Sequence, residues 1–195
     1  MNLPTLWVVL PIYNEAAAIK GVVEEWVEAL RSLNVSFAIL AIDDGSKDHT
    51  AAILKSLGIL ELQIIQRQNS GHGPSCRFGY QTALEQGAGW VLQIDSDGQC
   101  DPRYFPRFWA ARQNSPVVFG CRTKRDDGLC RWLISRVVSL VVFLAAGNWI
   151  KDANVPYRLM QAKVLKPALE KIPENAFFAN ILLSFLLAKD IRRQF

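Results

Sequence analysis

Short runs rich in β-branched and aromatic residues alternate with helical patterns through the first 120 residues, and this alternation constrains the fold more than any other feature of the chain. Strands that alternate with helices join in parallel through crossovers. The pattern therefore predicts an α/β fold with a mostly parallel central sheet flanked by helices. Strands are expected at residues 7–12, 37–42, 62–66 and 90–94, with another at 117–120. Helices are expected at 15–33, where Ile19, Val22, Val23, Trp26, Val27 and Leu30 recur on one face, after the Asp43-Asp44-Gly45-Ser46 turn as far as Leu57, and at 73–87 behind a Gly-rich loop. Three strands end in polar clusters: Tyr13-Asn14-Glu15, Asp43-Asp44 and Asp95-Ser96-Asp97. Open α/β sheets bind ligands beyond the carboxyl ends of their strands, so the three clusters are expected to meet in one crevice.

The chain has 195 residues, half of them apolar, and no repeat or Gly/Ser/Pro-rich linker divides it, so it is read as a single domain over 1–195. A net charge of +4 is too small to indicate nucleic acid as a partner. The basic residues Arg122, Lys124, Arg125, Arg131 and Arg136 nevertheless cluster around Asp126 and Asp127. Such a cluster suits an acidic lipid head group or a diphosphate, and equally a solvated surface. Cys76, Cys100, Cys121 and Cys130 form no C-x-x-C pair, and the first residues lack the character of a signal peptide, which predicts a cytoplasmic location with free thiols. His49 and His72 are too few for a recognisable zinc site, and His72 is given no catalytic role. No stretch reaches the roughly 20 apolar residues of a membrane span. The segment 132–150, flanked by Arg131 and Arg136 and bearing Trp132 and Trp149 near its ends, is read as an interfacial helix, and 176–188 as a core or interfacial one.

Asp95 and Asp97 are separated by one residue, and strand periodicity would point both carboxylates the same way. Two like charges at the mouth of an apolar strand repel unless a cation lies between them, and oxygen ligands suit Mg2+ or Mn2+. Asp-Ser-Asp-Gly is also an ordinary turn sequence, so the pair alone does not choose between the two readings.

The ordered set VVLPIYNE, AIDDGSKDHT and QIDSDGQ resembles the inverting family 2 glycosyltransferases of the GT-A fold, a Rossmann-like nucleotide-diphospho-sugar transferase architecture, over about 160 residues. With FGCRTK, the Arg-flanked helix and DANVPYR in place, the likeness is greatest to the polyprenyl-phosphate sugar transferases typified by dolichyl-phosphate mannose synthase. The resemblance implies a nucleotide-binding half to about residue 120 and an acceptor- and membrane-facing half from about 121. It places Pro11, Tyr13, Glu15 and Asp44 around the nucleoside, with Asp43 structural, and gives Asp95 and Asp97 the metal and the donor diphosphate beside Gln99. Arg122 would then lie near the leaving group.

On the acceptor side, Asp152 and Arg158 match an acid and a basic residue of the related enzymes, completing with Asp97 the set expected at the reaction. Asp152 would serve as base for a hydroxyl acceptor, whereas a phosphate monoester, with a second pKa of about 6, is already anionic. Arg158 would bind that phosphate. The segment reads Asn-Val-Pro-Tyr-Arg where the family more often has Ser-Gly-Phe-Arg. The chain is also expected to be short at its carboxyl end, lacking the further basic strand of its relatives, either as a minimal or truncated member or with an anchor supplied by another chain. These readings amount to a metal-dependent hexosyltransferase, peripheral on the cytoplasmic membrane face and active in envelope glycan synthesis. It would move a sugar from a nucleotide-diphosphate donor to a polyprenyl phosphate. A transferase to a soluble or polysaccharide hydroxyl and a non-catalytic nucleotide-sugar or membrane-binding module are the alternatives. A dinucleotide oxidoreductase is disfavoured, because no G-x-G-x-x-G follows the first strand.

Overall fold

The computed structural model describes residues 5–120 and 154–188 and the backbone of 191–194. The basic cluster, the 132–150 segment, Arg122 and Asp152 lie outside the described residues. Strands β1 (Leu6–Ile12), β2 (Phe37–Asp43), β3 (Leu62–Gln66), β4 (Trp90–Gln93), β5 (Val117–Phe119), β6 (Arg158–Gln161) and β7 (Ile191–Gln194) form one sheet in the order β3-β2-β1-β4-β6-β5-β7. Only β6 runs against the others, pairing antiparallel with both β4 and β5. Helices α1 (Ile19–Ser32), α2 (Thr50–Ser56), α3 (His72–Glu85), α4 (Phe105–Ala111), α5 (Ala162–Leu169) and α6 (Ala179–Leu187) accompany it. The expected α/β class with a mostly parallel sheet is what the chain adopts.

Every residue of β1 and β2 is buried, as covered parallel strands require, and their register runs from Leu6↔Phe37 to Ile12↔Asp43. Pro11 stands in this central strand at no cost to the ladder. Ile94 N–H donates to Val9 O and Asp44 N–H to Ile12 O, so the Pro11 nitrogen faces the β4 side beyond the last β1–β4 pair, Val9↔Gln93. The chain steps from β1 outward through β2 and β3 and returns to β4 on the other side of β1. That reversal opens a crevice at the carboxyl ends of β1 and β4.

Two expectations are corrected. The helix anticipated from residue 15 begins at Ile19, because the Glu15 and Ala16 N–H groups donate to Thr50 Oγ1 (2.9 Å) and Asp48 Oδ2 (3.1 Å) rather than entering a helical ladder. The strand read as missing at the carboxyl end is present as β7, parallel to β5. Ile-Arg-Arg-Gln carries no strand signature of its own, and pairing with the buried β5 supplies what local sequence does not.

Candidate functional site

The site is built on the loops that leave β1, β2, β3 and β4. After β1, Asn14 takes a left-handed conformation (φ 56°), turning the chain so that Tyr13 is exposed above the crevice. That turn is pinned to the loop after β2: Asn14 N–H donates to Ser46 Oγ (3.0 Å), and Lys47 N–H donates to Asn14 Oδ1 (2.7 Å). Ser46, Asp48 and Thr50, which sequence reading did not single out, thus hold Tyr13 and Glu15 in place. The Ser-Lys-Asp-His-Thr run after a strand end is the signal that was available.

At the end of β2 the two aspartates divide their work. Asp43 is fully buried and accepts from Ser46 N–H (2.9 Å) and the Gln66 side-chain amide (3.2 Å). Asp44 accepts from Ser70 N–H (3.0 Å), Ser70 Oγ–H (3.1 Å) and Gly71 N–H (2.8 Å), so its carboxylate organises the Gly-rich loop. A carboxylate offers about four lone-pair positions, and these three leave one for a ligand. Gly45 (φ +76°) permits the close approach, since a Cβ there would stand 3.0 Å from the Asn69 nitrogen.

Beyond β4, strand periodicity does not explain the acid pair. The strand stops at Gln93, and Asp95 and Asp97 lie on the following turn. Asp97 is exposed and its Oδ1 accepts from Gln99 N–H (3.0 Å), an Asx turn completed by Gly98 at φ +78°. Asp95 is partly buried, and its N–H donates to Cys100 Sγ (3.5 Å). The Trp26 indole N–H anchors the far side of this loop through the Cys100 carbonyl (3.1 Å).

Convergence is visible in Glu15. Burial raises its pKa above the ordinary value of 4.5, and the Asp97, Asp48 and Asp95 charges raise it further. Among the described residues the strand-end crevice therefore brings the Glu15, Asp48, Asp95 and Asp97 carboxylates within each other's influence. Oxygen donors of this kind fit Mg2+ or Mn2+, and Asp95 and Asp97 are the residues that could hold one. Among the described residues no three His, Cys, Asp or Glu side chains gather to hold a metal unaided. Mg2+ commonly takes one or two carboxylates and completes its shell with water and phosphate.

The Glu15 shift carries a prediction. A carboxyl whose folded pKa is raised contributes stability below its unfolded pKa and loses it as pH rises through the folded value. Glu15→Gln, without metal or nucleotide, should therefore melt no lower than the parent at pH 7 and show no advantage below pH 4.5. Calorimetry at the two pH values reads this, and a clear loss at pH 7 would show that the charge is compensated.

Two further placements differ from the sequence reading. His72, at the start of α3, sets its Nε2 3.8 Å from Asp95 Oδ1 and 3.4 Å from Cys76 Sγ, so it borders the site. Only the fold reveals this, since 23 positions separate it from Asp95. Arg158, expected at the acceptor phosphate, is buried with no exposure. Its guanidinium donates to the carbonyls of Val155 (2.9 Å) and Asn180 (3.0 Å) and to Ser184 Oγ (3.3 Å), and lies 4.9 Å from the Phe119 ring centroid. In this position it braces the turn before β6 against α6.

Residues 7–178 match the family model Glycosyl transferase family 2. The chain is 31% identical over 181 residues to the undecaprenyl-phosphate 4-deoxy-4-formamido-L-arabinose transferase of Pseudomonas paraeruginosa, covering 90% of this chain and 52% of that protein. It is 26% identical over 189 residues to the protein of the same name from Pectobacterium atrosepticum, covering 94% of this chain and 57% of the relative. The chain thus spans about half the length of these curated relatives. In architecture it resembles the glucosyl-3-phosphoglycerate synthase of Mycobacterium tuberculosis, crystallised with Mn2+, UDP-glucose and phosphoglyceric acid. The TM-score is 0.68 at 18% identity, over 98% of this chain and 69% of the other.

Proposed function

Because the chain belongs to glycosyl transferase family 2, we propose that it transfers a sugar from a nucleotide-diphosphate donor to a polyprenyl phosphate with inversion at the anomeric carbon. One observation carries the reading: the ends of β1, β2 and β4 bring an exposed aromatic ring, a loop-organising aspartate and two acidic turn residues to a single topological switch point. The names of the curated relatives support the acceptor class.

In this reading Tyr13 offers its ring face to the base or ribose, and Glu15 accepts hydrogen bonds from base or sugar hydroxyls. Asp44 accepts one hydrogen bond from the base while keeping the Ser70-Gly71 loop against the nucleotide. Pro11 forms the floor from within β1. Asp95 and Asp97 hold the divalent cation, with Gln99 beside the diphosphate. When bound, Mg2+ or Mn2+ supplies positive charge where the departing diphosphate becomes more negative. Arg122 adds a guanidinium to the same oxygens by family likeness. A polyprenyl phosphate near neutrality brings its own anionic nucleophile, so Asp152 orients the acceptor and need not remove a proton from it. Positioning by Asp95 and Asp97 on the donor side and by Asp152 on the acceptor side provides the in-line approach.

The lipid acceptor implies work at a membrane surface, on the cytoplasmic face where nucleotide sugars are found. Among the described residues no helix is long and apolar enough to cross a membrane. Phe177, Phe178, Leu182 and Phe185 are exposed on α6 and the turn before it, a distribution that suits contact with an apolar acceptor or bilayer interface.

The test is transfer itself. Labelled nucleotide sugars with Mn2+ are offered detergent-dispersed undecaprenyl phosphate in one arm and water-soluble hydroxyl acceptors in another. Label is expected in the lipid arm and should vanish with EDTA. Label only in the soluble arm would overturn the acceptor, and folded protein active in neither arm would overturn the enzymatic reading.

A further inference from the structure

We infer that a buried polar relay, Asn180–Tyr80–Gln93, positions the Asp95 carboxylate from behind and ties it to the turn that precedes β6. Gln93 and Tyr80 have no exposure and Asn180 is 4% exposed. The Tyr80 hydroxyl donates toward Gln93 Oε1 and lies 2.9 Å from Asn180 Oδ1. Gln93 Nε2 reaches Asp95 Oδ1 at 3.4 Å, and Asn180 Nδ2 stands 3.8 Å from Cys76 Sγ. The backbone carbonyl of Asn180 accepts from Arg158 (3.0 Å) and Ser184 Oγ–H (2.9 Å). Gln93 and Arg158 are themselves register partners across β4 and β6. A series of polar contacts thus runs from the turn before β6, through α6 and α3, to the candidate metal ligand, with the single Tyr80 hydrogen placed on Gln93.

Three polar side chains in an apolar interior are costly unless each finds partners, and an apolar core would serve packing as well. Their arrangement here has a direction. One phenol hydrogen pins the Gln93 amide, which leaves the Gln93 NH2 turned toward Asp95. Burial holds the Tyr80 phenol far above its ordinary pKa, so the hydroxyl keeps its hydrogen at any working pH. Partners standing behind a metal-ligating carboxylate fix its orientation, and their loss commonly lowers metal affinity on the order of 10- to 100-fold. Gln93, Tyr80 and Asn180 are positioning residues in this scheme, because none of them touches the substrate.

The proposal rests on the metal-nucleotide reading above, and the two can fail separately. Mn2+ is titrated by electron paramagnetic resonance into the parent protein and into Tyr80→Phe, with UDP, GDP and CDP present in turn. Tyr80→Phe keeps the ring and removes only the hydroxyl. Leu30→Ala, on the far end of α1, serves as a destabilised control whose melting temperature falls at least as far. With whichever nucleotide supports binding in the parent, Tyr80→Phe is expected to bind Mn2+ on the order of 10-fold more weakly, and Leu30→Ala to match the parent. Equal affinity in Tyr80→Phe and parent would overturn the relay and leave the donor site standing. Equal loss in Tyr80→Phe and Leu30→Ala would reduce it to a stability effect and overturn it too. No Mn2+ binding by the folded parent with any nucleotide would overturn both readings.

Discussion

Asp97→Ala should abolish Mn2+-dependent nucleotide binding and lower sugar transfer on the order of 100- to 1,000-fold, while the protein melts close to the parent temperature. The two halves of this expectation have different origins. Asp97 is exposed and caps one Asx turn through Gln99 N–H, a contact worth about 1 kcal/mol at most. Its removal also relieves part of the repulsion that raises the Glu15 pKa, which offsets some of that loss. The functional half is larger because the departing diphosphate gains charge during transfer and Asp97 is one of two protein ligands proposed for the neutralising cation. Transfer kinetics and scanning calorimetry on one preparation separate the two. A variant with full transfer activity would remove Asp97 from the site, and a variant that merely unfolds would make it structural.

Gly73→Ala should destabilise the fold by about 3 kcal/mol, a fall in Tm of roughly 6–12 °C for a chain of this size. A Cβ at Gly73 would stand 2.2 Å from the Phe177 carbonyl oxygen and 2.5 Å from that of Ala176. Backbone must move to accommodate it, in a turn fixed at one end by α6. Gly79 is the informative comparison. A Cβ there would come within 2.4 Å of Val9 Cγ1, a side-chain methyl that rotation can carry away, so Gly79→Ala should cost less. Thermal melts of the two variants check the ordering. Gly73→Ala melting at the parent temperature would contradict the close packing of α3 on residues 176–177.

The frame of the first 94 residues was readable because β1 and β2 are apolar on both faces and α1 carries its buried residues at helical spacing. Elements after residue 100 were harder for physical reasons. β6 and β7 have four residues each and borrow their stability from β4 and β5, and α5 contains Pro167, which reads as a breaker. At the site, residue types were legible and their geometry was not. Asp95 and Asp97 meet the Glu15 region from a turn and not from a strand, so side-chain alternation does not account for where they stand. Arg158 shows the opposite case: a strand-leading arginine looks alike in sequence whether it is exposed or buried against backbone carbonyls such as those of Val155 and Asn180. His72 and Tyr80 were invisible because each joins the site only through the packing of α3 against β1 and β4.

The central claim is that the crevice at the ends of β1 and β4 binds a metal and a nucleotide together. Thermal unfolding of the parent protein with a panel of nucleotide sugars, each with and without Mn2+, tests it most directly, because a ligand raises stability by RT ln(1 + [L]/Kd). One donor is expected to raise Tm only when Mn2+ is present, and the increment should disappear in Asp97→Ala. An unchanged Tm across the whole panel, or an increment indifferent to Mn2+ and to Asp97, would contradict the account.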